Sequence, residues 1–430
     1  MTIKVNTSAV REPAQQEQGF LRGKRVGMVL FSYYPSDPRP RRAAEALIDA
    51  GMTVELICLR ENSQDLKIEV HNGVDIRRVP IARRRGGILG YLYQYLAFLF
   101  VSSGIMAFRS LSRRYDLVYV HNMPDFLVLS GLIPKALGAK IILDLHDPMP
   151  ELMQTIFNLP GNARSVQLLR LVEKLSLNLA DSVVTVNRAC AKLFASRSCP
   201  FHKITVVMNS PDESIFKSSP QRETMSLNGS KPFVVMYHGS LVERNGLGLA
   251  VEAFAKVRQA IPSAELRIYG SRNAFLDRVM ETVRDSKLEG SVQYLGPKPL
   301  EEIVEAIEGC SVGIIPNLRS IFTELNTPTR IFEYLALGKP VIAPDAPGIT
   351  DYFGQESLIF FELGNADDLG RKIEYVFRNP AKVREVTRRA KEIHLAHTWQ
   401  VEKASLLGLV TGLLSEGDEV MSAIRSPQRD

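Results

Sequence analysis

The segment Asn326-Thr-Pro-Thr-Arg-Ile-Phe-Glu-Tyr-Leu-Ala-Leu-Gly-Lys-Pro-Val-Ile-Ala343 carries the most specific chemistry in the chain. Thr327 suits an N-cap, and Pro328 the first helical position, where its missing N–H costs nothing. A helix that starts there and ends at Gly338 projects the amides of Thr329 and Arg330 toward whatever faces it, which suits a diphosphate. Glu333 lies about one and a half turns further in. A carboxylate so placed can accept two vicinal sugar hydroxyls, as an acidic residue does for ribose in dinucleotide folds. An ordinary capped helix with a solvated glutamate has the same spacing, so spacing alone leaves both readings open.

Two other stretches offer backbone rather than side chains. Tyr237-His-Gly-Ser-Leu-Val-Glu-Arg-Asn-Gly246 is a strand followed by a turn, and Tyr269-Gly-Ser271 repeats the pattern. Gly239, Gly246 and Gly270 let a phosphate approach the main chain. Each is common at strand ends, but together they place donors at the ends of three strands, where open α/β sheets bind ligands. In the first half, Asp144, His146 and Asp147 end a buried strand, and His121, Asn122 and Asp125 end the one before it. Such groups contact substrate, or simply shape the loop and cap the next helix. Asp37, Arg39 and Arg41, in the first strand-to-helix loop, are open between acceptor contact and loop structure.

The elements that position these residues alternate strand and helix in two series. Lys24–Phe31, Thr53–Leu59, Asp116–Val120, Lys140–Leu145 and Ser182–Val186 are Val/Ile/Leu-rich runs, as buried parallel strands require. A second series begins at Phe233–Tyr237 and runs through Glu265–Tyr269, Val292–Leu295, Val312–Pro316 and Pro340–Ala343, with helical segments between. The expected organisation is a polar N-terminal tail over residues 1–22, a first domain over 23–207, a linker over 208–231, and a second domain over 232–395. A C-terminal helix within 396–430 is expected to cross back to the first domain. The fold class is α/β, with two facing doubly wound parallel-sheet domains and a cleft between them.

Composition excludes several classes. With 45% apolar and 23% charged residues, the 430-residue chain has ample material for large cores and is not disordered throughout. Its four cysteines, Cys58, Cys190, Cys199 and Cys310, form no C-x-x-C pair or zinc spacing and point to a reducing compartment. No apolar signal segment is read in the first 20 residues. The net charge of +6 is mild but uneven. Residues 77–114 hold eight arginines and no Asp, Glu or Lys, and within them the 23 residues Gly86–Phe108 are uncharged. This run is long enough to span a bilayer. Its flanking charges are symmetric, and a span would part neighbouring strands, so two readings stand: a helix buried on the sheet, or one lying in the bilayer face with arginines on lipid headgroups. Arginines beside a greasy helix, without aromatics on a polar surface, argue against nucleic acid.

Taken together, HGSL from His238, LRIYGS from Leu266, VGIIPN from Val312 and PTRIFEYLALGKPVIAP from Pro328 resemble the donor domain of retaining, nucleotide-sugar-dependent glycosyltransferases of family 4, with the GT-B fold. FSYYPSDPRPRRAAEALIDAGMTVELICL, YDLVYVHNMPDFLVLSG and IILDLHDPMPEL resemble its acceptor domain. The resemblance implies that Glu333 binds the donor ribose, that His146, with Asp147, lies near the transferred sugar and acceptor, and that Gly239 opens the phosphate loop. His121, Asn122, Asp37, Arg39 and Arg41 are the candidate acceptor contacts and stay open between that role and loop structure; the family often has glycines in the first loop, where this chain has a basic, proline-stiffened one. The chain departs from the family where an Arg and a Lys usually grip the diphosphate; those positions are Ser240 and Asn245. The family's paired glutamate would fall at Leu325, next to Glu324. Either Arg244 and Arg330 serve the phosphates and Glu324 the donor sugar, or the chain is an inactive subunit. A nucleotide-sugar 2-epimerase of the same fold is a further alternative. The expected partners are a UDP- or GDP-sugar, a polyprenyl-diphosphate-linked or oligosaccharide acceptor, and an anionic membrane surface met through residues 77–114. No cofactor or metal is expected, and the expected place is cytoplasmic, peripheral on the inner membrane face.

Overall fold

The computed structural model describes residues 19–81, 88–217 and 232–425. The chain divides into two compact units. The first holds the described residues up to Val186, Cys190–Met208 and the chain from Gln400; the second holds Asn187–Ala189 and Asn209–Trp399.

Unit 1 is built on eight strands: β1 Arg25–Tyr33, β2 Thr53–Leu59, β3 Ile68–His71, β4 Val74–Val79, β5 Leu117–His121, β6 Lys140–Leu145, β7 Ser182–Thr185 and β8 Ile204–Val206. Their order is β3-β4-β2-β1-β5-β6-β7-β8. Every neighbour pair is parallel except β3 with β4. The chain winds outward from β1 in both directions, which makes the β1–β5 junction a topological switch point. All of β5 is buried, as a strand covered on both faces must be. The β3–β4 hairpin escapes the apolar-run reading. Its turn is Asn72-Gly73, with φ of 48° and 80°, a two-residue connection that matches the strand twist.

Unit 2 carries β9 Phe233–His238, β10 Ala264–Tyr269, β11 Val292–Tyr294, β12 Val312–Ile314, β13 Val341–Pro344 and β14 Ile359–Phe361. All pair in parallel in the order β11-β10-β9-β12-β13-β14. The switch point lies between β9 and β12. Tyr237, Leu266, Ile268 and Phe254 are among the apolar side chains that fill its core.

Several boundaries differ from the sequence reading. Packing begins by Leu21, which is buried, rather than at Gly23; residues 1–18 and 218–231 lie outside the described residues. The expected return of the C-terminal helix is found: the chain from Gln400 is part of unit 1, where Glu402 accepts the Met208 amide at 2.8 Å and Lys403 pairs with Asp49 at 2.6 Å. The uncharged run forms the helix Ile88–Ser112, while Arg83–Arg85 lie outside the described residues. By length and composition, Leu92–Ser112 could cross a membrane, with 28% of it buried. It joins β4 to β5, and β5 pairs directly with β1, so both helix ends return to one sheet and the helix does not span. Phe98, Ser102, Met106 and Ser110 form a buried stripe, and Tyr93, Phe100, Phe108 and Leu111 are exposed. The helix is therefore neither wholly buried nor wholly exposed: one side packs within unit 1 and the other carries exposed apolar side chains.

A buried ion cluster ties the helices that follow β6. Arg197 donates to Glu151 at 2.6 Å and to Glu173 at 2.5 and 2.8 Å. Arg197→Met leaves two buried carboxylates without their cation and is expected to destabilise the chain by about 3–5 kcal/mol. Chemical denaturation measures this, and a loss under about 1 kcal/mol, the worth of an exposed pair, would show that the cluster is solvated.

Candidate functional site

In unit 1 the candidate residues collect at the carboxyl ends of β5 and β6, beside the switch point. Asp144 is buried and receives Arg39 at 2.7 Å from Nη2 and 3.1 Å from Nε, and the Tyr119 hydroxyl at 3.1 Å. Burial opposes its ionisation, but the charge of Arg39 and a hydrogen bond from His121 outweigh burial and hold the carboxyl well below its usual range. Arg39 also donates to the Val207 carbonyl at 2.8 Å. A candidate acceptor contact, it is instead buried and committed to Asp144.

His121 Nδ1 lies 3.4 Å from Asp144 Oδ2 and 3.0 Å from His146 Nε2. A bare nitrogen there would face an ionised carboxylate, so the proton is assigned to His121 Nδ1 and His146 Nε2 accepts. His146 then carries its own proton on Nδ1. Burial, reinforced by Arg39 and His121 against the pull of Asp144, pushes the His146 imidazole down to about 3, so the ring is neutral at physiological pH. Its side chain keeps a 19% exposed edge. Asn122 braces the loop: its oxygen accepts the His146 amide at 2.8 Å, and its nitrogen donates to the Asp147 carbonyl at 2.9 Å and to Asp125 at 3.0 Å. Asp37 is the N-cap residue of the helix Pro38–Asp49 without a side-chain cap bond, and Arg41 makes no bond to this cluster among the described residues.

His121, Asp144 and His146 also bring three ligand atoms within 4.8 Å of one another, a spacing that a metal ion could use. The fit is poor. Asp144 Oδ2 already accepts from Tyr119 and Arg39, and the guanidinium opposes a second cation. His121 Nε2 is buried without the partner that normally orients a ligating histidine.

In unit 2 three strand ends meet through glycine. A Cβ on Gly246 would stand 1.7 Å from the Pro316 carbonyl oxygen, and one on Gly270 2.3 Å from that of Gly239. Gly239 itself has φ of 113°, a conformation reserved for glycine. Ser240 and Asn245, the departures from the family pattern, bond to each other, since the Asn245 amide donates to the Ser240 carbonyl at 2.9 Å. The Tyr237 hydroxyl donates to the same carbonyl at 2.9 Å.

The helix here is Thr329–Ala336, and its N-cap is Pro328 rather than Thr327. The Thr327 hydroxyl donates to the Gly348 carbonyl instead. Thr329 and Arg330, in the first turn, have no intrahelical acceptor for their amides. Arg330 crosses the glycine loop: it donates to the His238 carbonyl at 2.7 Å, and its guanidinium lies 4.9 Å from the centre of the Tyr237 ring. Glu333 Oε2 accepts from His238 Nε2 at 2.6 Å, and His238 Nδ1 meets the Tyr334 hydroxyl at 2.9 Å. His238 is a positioning group that motif spacing does not single out; its signal is its place as the last residue of β9, one before Gly239. Arg244 is turned to the Phe322 ring at 5.7 Å, and Glu324 pairs with Arg319 at 3.7 Å near the surface. Neither bonds to Glu333 or Arg330 among the described residues.

In unit 1, at the end of β5, burial pushes the Asp125 carboxyl up to about 7, more than the Asn122 hydrogen bond pulls it down. From about pH 4 to 7 the folded chain therefore holds a proton that the unfolded chain has lost. This group's contribution to stability is complete below that window and falls as pH rises through it. Asp125→Asn removes the slope, so the melting temperature of the variant minus that of the wild type is expected to rise from pH 5 to pH 8. A difference constant with pH would mean that Asp125 is ionised throughout.

Residues 37–210 match the glycosyl transferase 4-like domain, and residues 221–393 match the glycosyl transferases group 1 domain. The amylovoran biosynthesis glycosyltransferase AmsK of Erwinia amylovora is 25% identical over 175 residues, which span 40% of this chain and only 41% of that protein. Sucrose-phosphate synthase from Thermosynechococcus elongatus superposes with a TM-score of 0.74 at 16% identity, over 91% of this chain and 100% of that one. Anabaena HepE, solved with UDP, superposes with a TM-score of 0.64 at 16% identity, over 93% and 100%. Two family domains in succession, each on a doubly wound sheet, establish that the chain belongs to the group 1 glycosyltransferases of GT-B fold.

Proposed function

We propose that the chain is a retaining glycosyltransferase that moves a sugar from a UDP- or GDP-sugar to a lipid-linked or saccharide acceptor in surface polysaccharide assembly. The observation that carries this reading is the Glu333–His238 pair beside the glycine loop and the helix start at Thr329. Glu333 Oε1 has no bond to a described residue and is left for ribose hydroxyls. The diphosphate takes the Thr329 and Arg330 amides and the Arg330 guanidinium, so the leaving charge is met without a required metal. HepE has been solved with UDP and with UDP-glucose, which favours a uridine nucleotide. The name of AmsK favours polysaccharide assembly.

In retaining transfer the acceptor hydroxyl attacks from the leaving-group face, and the departing phosphate oxygen takes the proton. His146, neutral and protonated on Nδ1, then donates a hydrogen bond and orients substrate rather than serving as the base. The exposed aromatic stripe of the Ile88–Ser112 helix favours peripheral attachment to the inner face of the cytoplasmic membrane, where a polyprenyl-diphosphate-linked acceptor resides.

Titration calorimetry with UDP and GDP tests the donor site. Glu333→Ala is expected to weaken the preferred nucleotide by about 1.5–3 kcal/mol, the worth of a charge-assisted hydrogen bond. Unchanged affinity would remove Glu333 as the ribose ligand.

A further inference from the structure

The helix Arg164–Leu179 buries Val166 and Leu177 on its inner side but carries a second apolar stripe on its outer side. Its buried residues include Glu173 and Ser176, whereas Leu168, Leu171 and Leu175 are 60%, 53% and 63% exposed. These leucines recur at i, i+3 and i+7 and form one stripe. Single exposed leucines are normal on a protein surface, but an ordered stripe marks a contact.

The stripe belongs to a larger layer. The crossovers from β4 to β5, β5 to β6 and β6 to β7 all run the same way along the sheet, and right-handed crossovers in one direction lay their helices on one face. Ile88–Ser112 packs on Leu132–Ala136, and both touch the 3-10 segment Asp125–Gly131, which packs on Arg164–Leu179. Leu132 and Ile133 are exposed on the short helix. Ile156 and Phe157 are exposed at the end of Met149–Phe157, which packs beside Arg164–Leu179.

Exposed charge in the stretch of chain that builds this layer has one sign. Between residues 88 and 179 every exposed charged side chain is basic: Arg113, Arg114, Arg164 and Lys174. The acids of that span, Asp116, Asp125, Asp144, Asp147, Glu151 and Glu173, are all buried or half-buried.

We infer that this helix layer is a bilayer-docking face, and that Leu168, Leu171 and Leu175 form a second lipid contact besides the Ile88–Ser112 helix. The inference rests on the membrane attachment proposed above. The occupant is an anionic lipid surface. Leucines and aromatics enter the boundary between headgroups and acyl chains, and the arginines and lysine meet the lipid phosphates.

Flotation of the full chain with vesicles of phosphatidylcholine and phosphatidylglycerol tests this, with phosphatidylcholine alone for comparison. Leu168→Ser, Leu171→Ser and Leu175→Ser combined should keep the wild-type melting temperature and lose about tenfold or more in vesicle partition. Phe100→Ser with Phe108→Ser should lose comparably. As a second readout that leaves the surface apolar, the tryptophan introduced by Leu171→Trp should shift its emission to the blue when vesicles are added. If the leucine variant floats like wild type while the phenylalanine variant does not, or if the emission of the introduced tryptophan is unmoved, the inference fails and the membrane attachment stands. A wild type that never floats, even at low salt, overturns both. A concentration-dependent dimer that the leucine substitutions abolish without changing flotation would assign the stripe to a second copy of the chain and overturn the inference.

Discussion

The donor unit depends on backbone meeting backbone where only glycine fits. The Gly270 Cα faces the Gly239 carbonyl, and Gly246 faces the Pro316 carbonyl, at distances that leave no room for a Cβ. These approaches draw the ends of β9, β10 and β12 together at the switch point. Once they are drawn together, Arg330 can reach the His238 carbonyl and Glu333 can reach the His238 ring. The charged side chains are therefore placed by main-chain segments that approach too closely for any residue but glycine at these positions. Neutral side chains complete the loop, because Tyr237 and Asn245 both donate to the Ser240 carbonyl. Of the two residues that depart from the usual cationic pair, Asn245 thus holds the loop through the Ser240 main chain, and Arg330 is the cation held against the loop.

Unit 1 solves a different problem with the same topology. There a buried carboxylate, Asp144, is kept ionised by Arg39 and sets the proton positions of two histidines. Burial of charge is costly unless paired, and here the pairing extends through Tyr119, His121 and Arg39. The outcome is a neutral His146 with a defined donor nitrogen. That suits orientation of a sugar hydroxyl better than proton abstraction, which fits a mechanism in which the leaving phosphate receives the proton.

Much of this is legible in the sequence, and the rest fails for identifiable reasons. Continuous Val/Ile/Leu runs identify the long central strands because these are covered on both faces. β8 and β14, three residues each, escape this reading, although β11 and β12 of the same length do not. The helix near Glu333 is legible because Pro328 and Gly338 bracket it. Its cap is misread because Thr327 finds a tertiary acceptor, the Gly348 carbonyl, which no local rule foresees. The pairing of Arg39 with Asp144 spans 105 residues and follows only from strand order. For the Ile88–Ser112 helix, composition shows that it is apolar but not that one side meets the sheet and the other does not.

The most direct measurement is a structure of the chain with UDP or GDP bound. The expected result is ribose hydroxyls within hydrogen-bond distance of Glu333 while His238 still holds its other oxygen, and the diphosphate against the amides of Thr329 and Arg330. A nucleotide bound away from the ends of β9 and β12, or one whose ribose leaves Glu333 untouched, would contradict it.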